Sequence, residues 1–181
     1  MIKIFPFIFI LLWSSAFITT KPIIDNSDPF SALAFRFLIV AIGFFLFSIY
    51  TKQKIVISKK NFIESFFSGV LFHGFYLGGV FFSISKGMPT GIAALIVTLQ
   101  PILTNALSGP ILNEKVTIKQ WIGVLLGFIG ATLVLGLDIG SEIPLTGLVA
   151  TIIALVAITS STIWQKKISN NLPLSVSNMY Q

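Results

Sequence analysis

TLQPILTNALSGPILNEK, residues Thr98 to Lys115, lies inside a long apolar run yet holds two prolines, a glutamine and two asparagines, and closes on a glutamate and a lysine. In water such a segment reads as an interrupted helix. In lipid its breakers and amides acquire a different meaning, so the solvent of the chain has to be decided first. Of the 181 residues, 55% are hydrophobic and 10% charged, and the mean hydropathy is +0.95, values that mark a membrane protein. A hydrocarbon layer about 30 Å thick takes roughly 20 apolar residues per helical span. Windows of that length fall at 4–20, 30–50, 62–85, 90–112, 120–137 and 144–165. They lack the short alternating pattern of barrel strands, and backbone amides must be paired inside lipid, so each is expected to be a helix. The expected fold is an all-α polytopic membrane protein with six transmembrane helices.

Within the fourth of these, a turn of about 100° per residue puts Gly91, Ala94, Pro101, Asn105 and Ser108 on one narrow face with Thr98. Leucines and isoleucines cover the other side. Lipid offers an asparagine amide no partner, so the polar face is expected to point into the bundle or a water-filled cavity. Two roles suit Asn105, a contact holding helices together or a substrate contact. Pro101 and Pro110 remove the hydrogen bonds to the Val97 and Ala106 carbonyls and permit kinks. Gln100 lies off the polar stripe and has no role readable in the sequence.

The net charge of +6 is a topology signal rather than a nucleic-acid footprint. Lys3, Lys52, Lys54, Lys59, Lys60, Lys115, Lys119, Lys166 and Lys167 fall at the N-terminus or in every second loop, and only Lys21 and Lys86 fall in the others. The positive-inside rule then places the N-terminus in the cytoplasm. No cysteine is present, which excludes disulfides, thiolate metal sites and cysteine nucleophiles. Nothing in the composition calls for a metal or a cofactor.

Three further residues stand out inside the spans. Arg36, the single arginine, lies about 10 Å from the outer end of the second span at about 1.5 Å per residue. It is expected either to anchor an anionic group in a cavity or to bond helix-end carbonyls or the carboxylates Asp25 and Asp28. His73 sits mid-span with Tyr76 close behind it, suited to carrying a proton, binding substrate or tying the bundle together. Gly74-x-x-x-Gly78 and Gly123-x-x-x-Gly127 are helix-packing patterns. An enzyme would need a nucleophile with its base, or a metal cluster. The sequence has one histidine, no Gly-x-Ser-x-Gly, no His-Glu-x-x-His and no intramembrane aspartate pair, which argues against an intramembrane enzyme.

Laying Trp13 on Ile158 aligns WSSAFITTK (Trp13 to Lys21) with ITSSTIWQK (Ile158 to Lys166), each a hydroxyl-rich tract before a helix-ending lysine. An odd number of spans separates the two, so one runs outward and the other inward, the pattern of an inverted repeat in a secondary transporter. In that register Ser175 to Gln181 begin the second span of the second repeat. The chain is therefore expected to be a fragment that lacks most of that repeat, with a homodimer as the alternative source of the missing half.

These residues resemble the drug/metabolite transporter superfamily, in its EamA-like branch. The resemblance rests on Gly91-Ile-Ala-Ala-Leu through Gln100-Pro101 to Asn113-Glu114-Lys115, then Lys119-Gln120-Trp121-Ile122-Gly123 and Gly127 to Gly130. It extends to Trp13-Ser14-Ser15-Ala16-Phe17, Lys21 and Arg36-Phe37, although the family's usual Trp-Gly is Trp-Ser here. It implies ten helices in two inverted five-helix repeats, here residues 1–137 and the start of the second at 138–181. It further implies alternating-access movement of small metabolites, such as amino acids, similar polar compounds or drugs. Export across the inner membrane is the favoured direction, and proton coupling is an open expectation. The cavity residues expected are Trp13, Ser14, Arg36, His73, Tyr76, Thr98, Pro101 and Asn105, with Glu114, Gly123 and Gly127 as structural motif. A non-transporting membrane subunit or scaffold is the alternative from another class.

Overall fold

Five of the six expected spans form helices long and apolar enough to cross a bilayer. The structure, a computed structural model, describes residues 4–112, 116–135, 142–168 and 172–181. Its helices are α1 (Phe5–Asn26), α2 (Pro29–Tyr50), α3 (Lys59–Ser85), α4 (Thr90–Leu112), α5 (Ile118–Leu135), α6 (Leu145–Ile168) and the short α7 (Leu174–Tyr180). Among the described residues no strand occurs. The chain is thus a multi-pass, all-helical membrane protein. α5 carries the apolar stretch Ile118–Gly130 within its 18 residues. Glu114 lies outside the described residues.

Local chemistry sets where the helices start and stop. Asp28 caps α2, its carboxylate accepting from the Ser31 N–H at 2.8 Å, and Pro29 pre-sets the first turn. That bond, with the Ser31 hydroxyl, holds the Asp28 carboxyl below its ordinary value. The cap is therefore charged at neutral pH, and its contribution is lost only as pH falls through the lowered value. Ser58 caps α3 in the same way. At the other end of α3, Gly87 adopts φ +89, and the Gly87 and Met88 N–H groups return to the Ile84 and Ser83 carbonyls. This pair of bonds is a Schellman stop, which needs a left-handed residue and so favours glycine.

α3 and α4 are both irregular. In α3 a π-helical stretch, Val70–Leu77, separates α-helical Lys59–Gly69 from Gly78–Ser85. In α4 the helix ends at Val97 and resumes at Gln100. Pro101 has no N–H to give the Val97 carbonyl, and the preceding turn tightens, with Leu99 N–H donating to the Ile96 carbonyl at 3.1 Å. Pro110 lies inside the second segment of α4, which continues through it to Leu112.

The core lies where α6 crosses α3 and α4. Tyr76, Val80 and Ile84 of α3 pack there with Ala93 and Val97 of α4 and Ala154, Ala157 and Ile158 of α6. Small residues let the backbones approach. A Cβ on Gly79 would lie 3.1 Å from the Ala150 carbonyl, and one on Gly147 3.0 Å from the Met88 Cβ. A side chain on Gly74, Gly123 or Gly127 would meet open space among the described residues, so the close approaches fall outside these positions.

With no water available, hydroxyls hold the crossing together. Ser83 and Thr151, both fully buried, lie 2.6 Å apart and reach the Gly147 carbonyl at 2.7 and 2.9 Å. Two protons serve three contacts. Further along, Ser161 bonds Ser68, and the Trp164 indole N–H donates to the Glu64 carbonyl at 3.2 Å. α7 joins the same end through Ser177, 3.4 Å from Ser65.

Candidate functional site

Two neighbouring cavities open where α1 passes the irregular parts of α3 and α4. The first, about 190 Å³, lies between α1, α2 and α3, with Trp13, Thr20, Arg36 and Tyr76 in its wall. The second, about 550 Å³, lies between α1, α4 and α6, with Trp13, Ser14, Thr98, Gln100, Pro101 and Thr162 in its wall. Phe9, Trp13, Phe17 and Phe72 line both, so the two form one aromatic recess with two lobes.

The irregular helices shape these lobes. The π-stretch carries Tyr76 to the first lobe, where its ring stacks on Trp13 with centroids 6.4 Å apart and planes 9° from parallel. Such widened turns are frequent at functional sites. The break in α4 brings Thr98 and Pro101 to the second lobe, close to the middle of the span.

Of the residues expected from the sequence, Trp13, Arg36 and Tyr76 meet in the first lobe, and Trp13, Ser14, Thr98 and Pro101 in the second. Asn105 is placed apart. It lines a cavity of about 120 Å³ with Thr104, Ser108, Gln120 and Lys166. His73 lines neither lobe. Its ring packs on Phe37 at 4.5 Å and on Phe72 at 5.1 Å, and its buried Nδ1 has no hydrogen-bond partner.

The outer-loop carboxylates do not take up Arg36. Asp25 pairs with Lys21 at 3.6 Å, and Asp28 is engaged as the cap of α2. Among the described residues Arg36 makes no ion pair. No group of histidines and carboxylates among them could hold a metal.

Gln100, which the polar stripe leaves without a role, ties two helices. Its amide donates to Thr104 at 3.1 Å and across to Thr162 of α6 at 3.2 Å. Thr162 belongs to the hydroxyl-rich tract, but the sequence does not say which helix that tract faces. Gln100→Met keeps the volume and removes the bonds. It is expected to lower unfolding stability by about 1 kcal/mol, given about 0.6 kcal/mol per interhelical hydrogen bond in a membrane. A double-mutant cycle with Thr162→Val should return a coupling of about 0.6 kcal/mol.

A match to the EamA-like transporter family covers residues 2–136. Among individual relatives, the chain is 26% identical to a "Probable amino-acid metabolite efflux pump" of Salmonella typhimurium, over 91% of this chain and 53% of that protein. It is 29% identical to "Protein PecM" of Dickeya dadantii, over 92% of this chain and 53% of the relative. It is 28% identical to "Uncharacterized transporter YdfC" of Bacillus subtilis, over 68% and 40%. The chain thus spans about half the length of the curated relatives it matches. No solved structure matches it.

Proposed function

Because the chain belongs to the EamA-like transporter family, we propose that it forms one part of a secondary transporter that moves small metabolites, amino acids among them, by alternating access. The observation that carries this reading is the two-lobed recess beside the break in α4. Discontinuous helices at mid-membrane are where transporters of this general kind hold substrate, because irregular backbone is tolerated in lipid only where it lines a cavity.

The repeat supports the same reading. Trp13 and Phe17 of α1, and Ile158 and Thr162 at the corresponding places in α6, all line the second lobe. A pseudo-two-fold axis between inverted repeats would run near that lobe and place it at the interface of the halves. Efflux is favoured by the name of the Salmonella relative. A cytoplasmic N-terminus in an inner-membrane protein is part of the same reading, supported by the lysine-rich loops. Proton coupling would run through His73, whose Nδ1 is buried and unpartnered.

Flux through the full-length protein in proteoliposomes tests the reading. Saturable movement of at least one compound from a panel of amino acids, organic acids, nucleobases and cationic drugs is the expected result. Leakage no greater than from empty liposomes, for every compound and in both directions, would overturn it.

A further inference from the structure

The first lobe has an uneven chemistry that narrows its ligand. Its wall is largely apolar, built from Phe9, Leu12, Trp13, Phe72 and Val80 among others. Of its polar side chains, Thr20 is already engaged, its hydroxyl donating to the Ala16 carbonyl at 2.7 Å. Arg36 and Tyr76 are different. Arg36, an exposed side chain, forms no ion pair or hydrogen bond among the described residues, and the Tyr76 hydroxyl forms no hydrogen bond there. No carboxylate lines the lobe. A cation held within a membrane span is costly unless something completes it, and the Tyr76 phenol stands beside it with its donor unused.

We propose that this lobe binds small carboxylates with an apolar, preferably aromatic, body. Arg36 and the Tyr76 hydroxyl hold the carboxylate, and the Trp13 and Phe72 faces hold the body. The guanidinium fork suits the two oxygens of a carboxylate, and the phenol adds a third donor to the same group. Trp13 lies nearly parallel to Tyr76, so the aromatic wall stands beside one anion donor. At about 190 Å³ the lobe is smaller than the roughly 300–1,000 Å³ of sites for drug-sized ligands, which limits the body to about one ring. The proposal rests on the transporter reading for its purpose but not for its test, which measures binding.

The experiment uses the purified full-length protein and radiolabelled 3-phenylpropionate, with unlabelled 3-phenylpropionamide as the neutral, nearly isosteric competitor. The carboxylate is expected to bind, and the amide to compete about tenfold to a hundredfold more weakly, the loss that accompanies removal of a charge-assisted hydrogen bond. Arg36→Gln should weaken carboxylate binding by a similar factor and abolish the preference over the amide. Tyr76→Phe should weaken it about threefold to tenfold while leaving the preference in place, as expected for a neutral donor. Thermal unfolding of each variant identifies any that fails to fold, and Arg36→Lys serves as the charge-conserving check if Arg36→Gln does. Equal competition by amide and carboxylate, or unchanged carboxylate binding in a folded Arg36→Gln protein, would overturn the proposal. Flux of other compounds without carboxylate binding would overturn it too and leave the transporter reading standing. Binding without any flux would do the reverse.

Discussion

Replacing Pro101 with alanine is expected to yield a protein that is more stable and transports more slowly. The Val97 carbonyl lacks its helical partner because Pro101 has no N–H, and α4 is interrupted at Thr98–Leu99 as a result. Alanine restores the donor and removes the ring clash, which together cost a helix interior up to about 3 kcal/mol. The two segments of α4 should then fuse, with Thr98 drawn from the second lobe into a continuous helix. If the halves of α4 must pivot for substrate to pass, the straightened helix raises the barrier. A flux at least about tenfold below wild type, or roughly 1.4 kcal/mol of activation free energy, is the expected size. The opposite signs of the two effects make the result informative, since a merely damaged protein would lose both stability and flux. Thermal unfolding and proteoliposome flux on the same preparation measure them.

The second large effect falls on the crossing of α3 and α6. Gly79→Leu should destabilise the fold by several kcal/mol, and Gly79→Ala by a smaller amount. Even a Cβ at Gly79 would sit 3.1 Å from the Ala150 carbonyl and 3.2 Å from the Ala154 Cβ, so alanine forces a shift of a few tenths of an ångström. Leucine pushes the helices apart at this close contact. Overpacking of that kind costs about 1–3 kcal/mol. Separation there also strains the Ser83, Thr151 and Gly147 triangle one turn away, where each interhelical hydrogen bond lost adds about 0.6 kcal/mol. Unfolding in mixed micelles, followed by circular dichroism, gives both values. A Leu variant as stable as wild type would mean that the two helices do not cross at Gly79.

The spans are legible in the sequence because an uninterrupted apolar run of bilayer length is stable chiefly as a helix inside lipid, and five of them are helices of that length. The break in α4 is equally legible, since proline removes a donor wherever it falls. Pro110 carries the same chemistry without a break in the second segment of α4. Other features depend on neighbours distant in sequence. Nothing local marks Val70–Leu77 as π-helical, and that widening sends Tyr76 towards the recess and His73 towards Phe37 and Phe72. Gln100 finds its partner 62 residues away, beyond any periodicity argument. Glycine spacing singles out Gly74, Gly78, Gly123 and Gly127 as packing positions, whereas among the described residues the tight contacts belong to Gly69, against the Gln181 backbone, and to Gly79 and Gly147. A spacing rule shows that two glycines share a face and is silent on what that face meets.

Alternating access is the central claim, and the chain offers a direct probe of it because it contains no cysteine. Ser14 lines the second lobe, so Ser14→Cys, in a full-length protein cleared of any other cysteines, places one thiol at the proposed substrate path. Membrane-impermeant maleimide applied from each side of oriented vesicles measures its exposure. Labelling from both sides, with the balance between them shifted by a transported substrate, is the predicted result; labelling from one side alone, whatever substrate is present, would contradict alternating access through this recess.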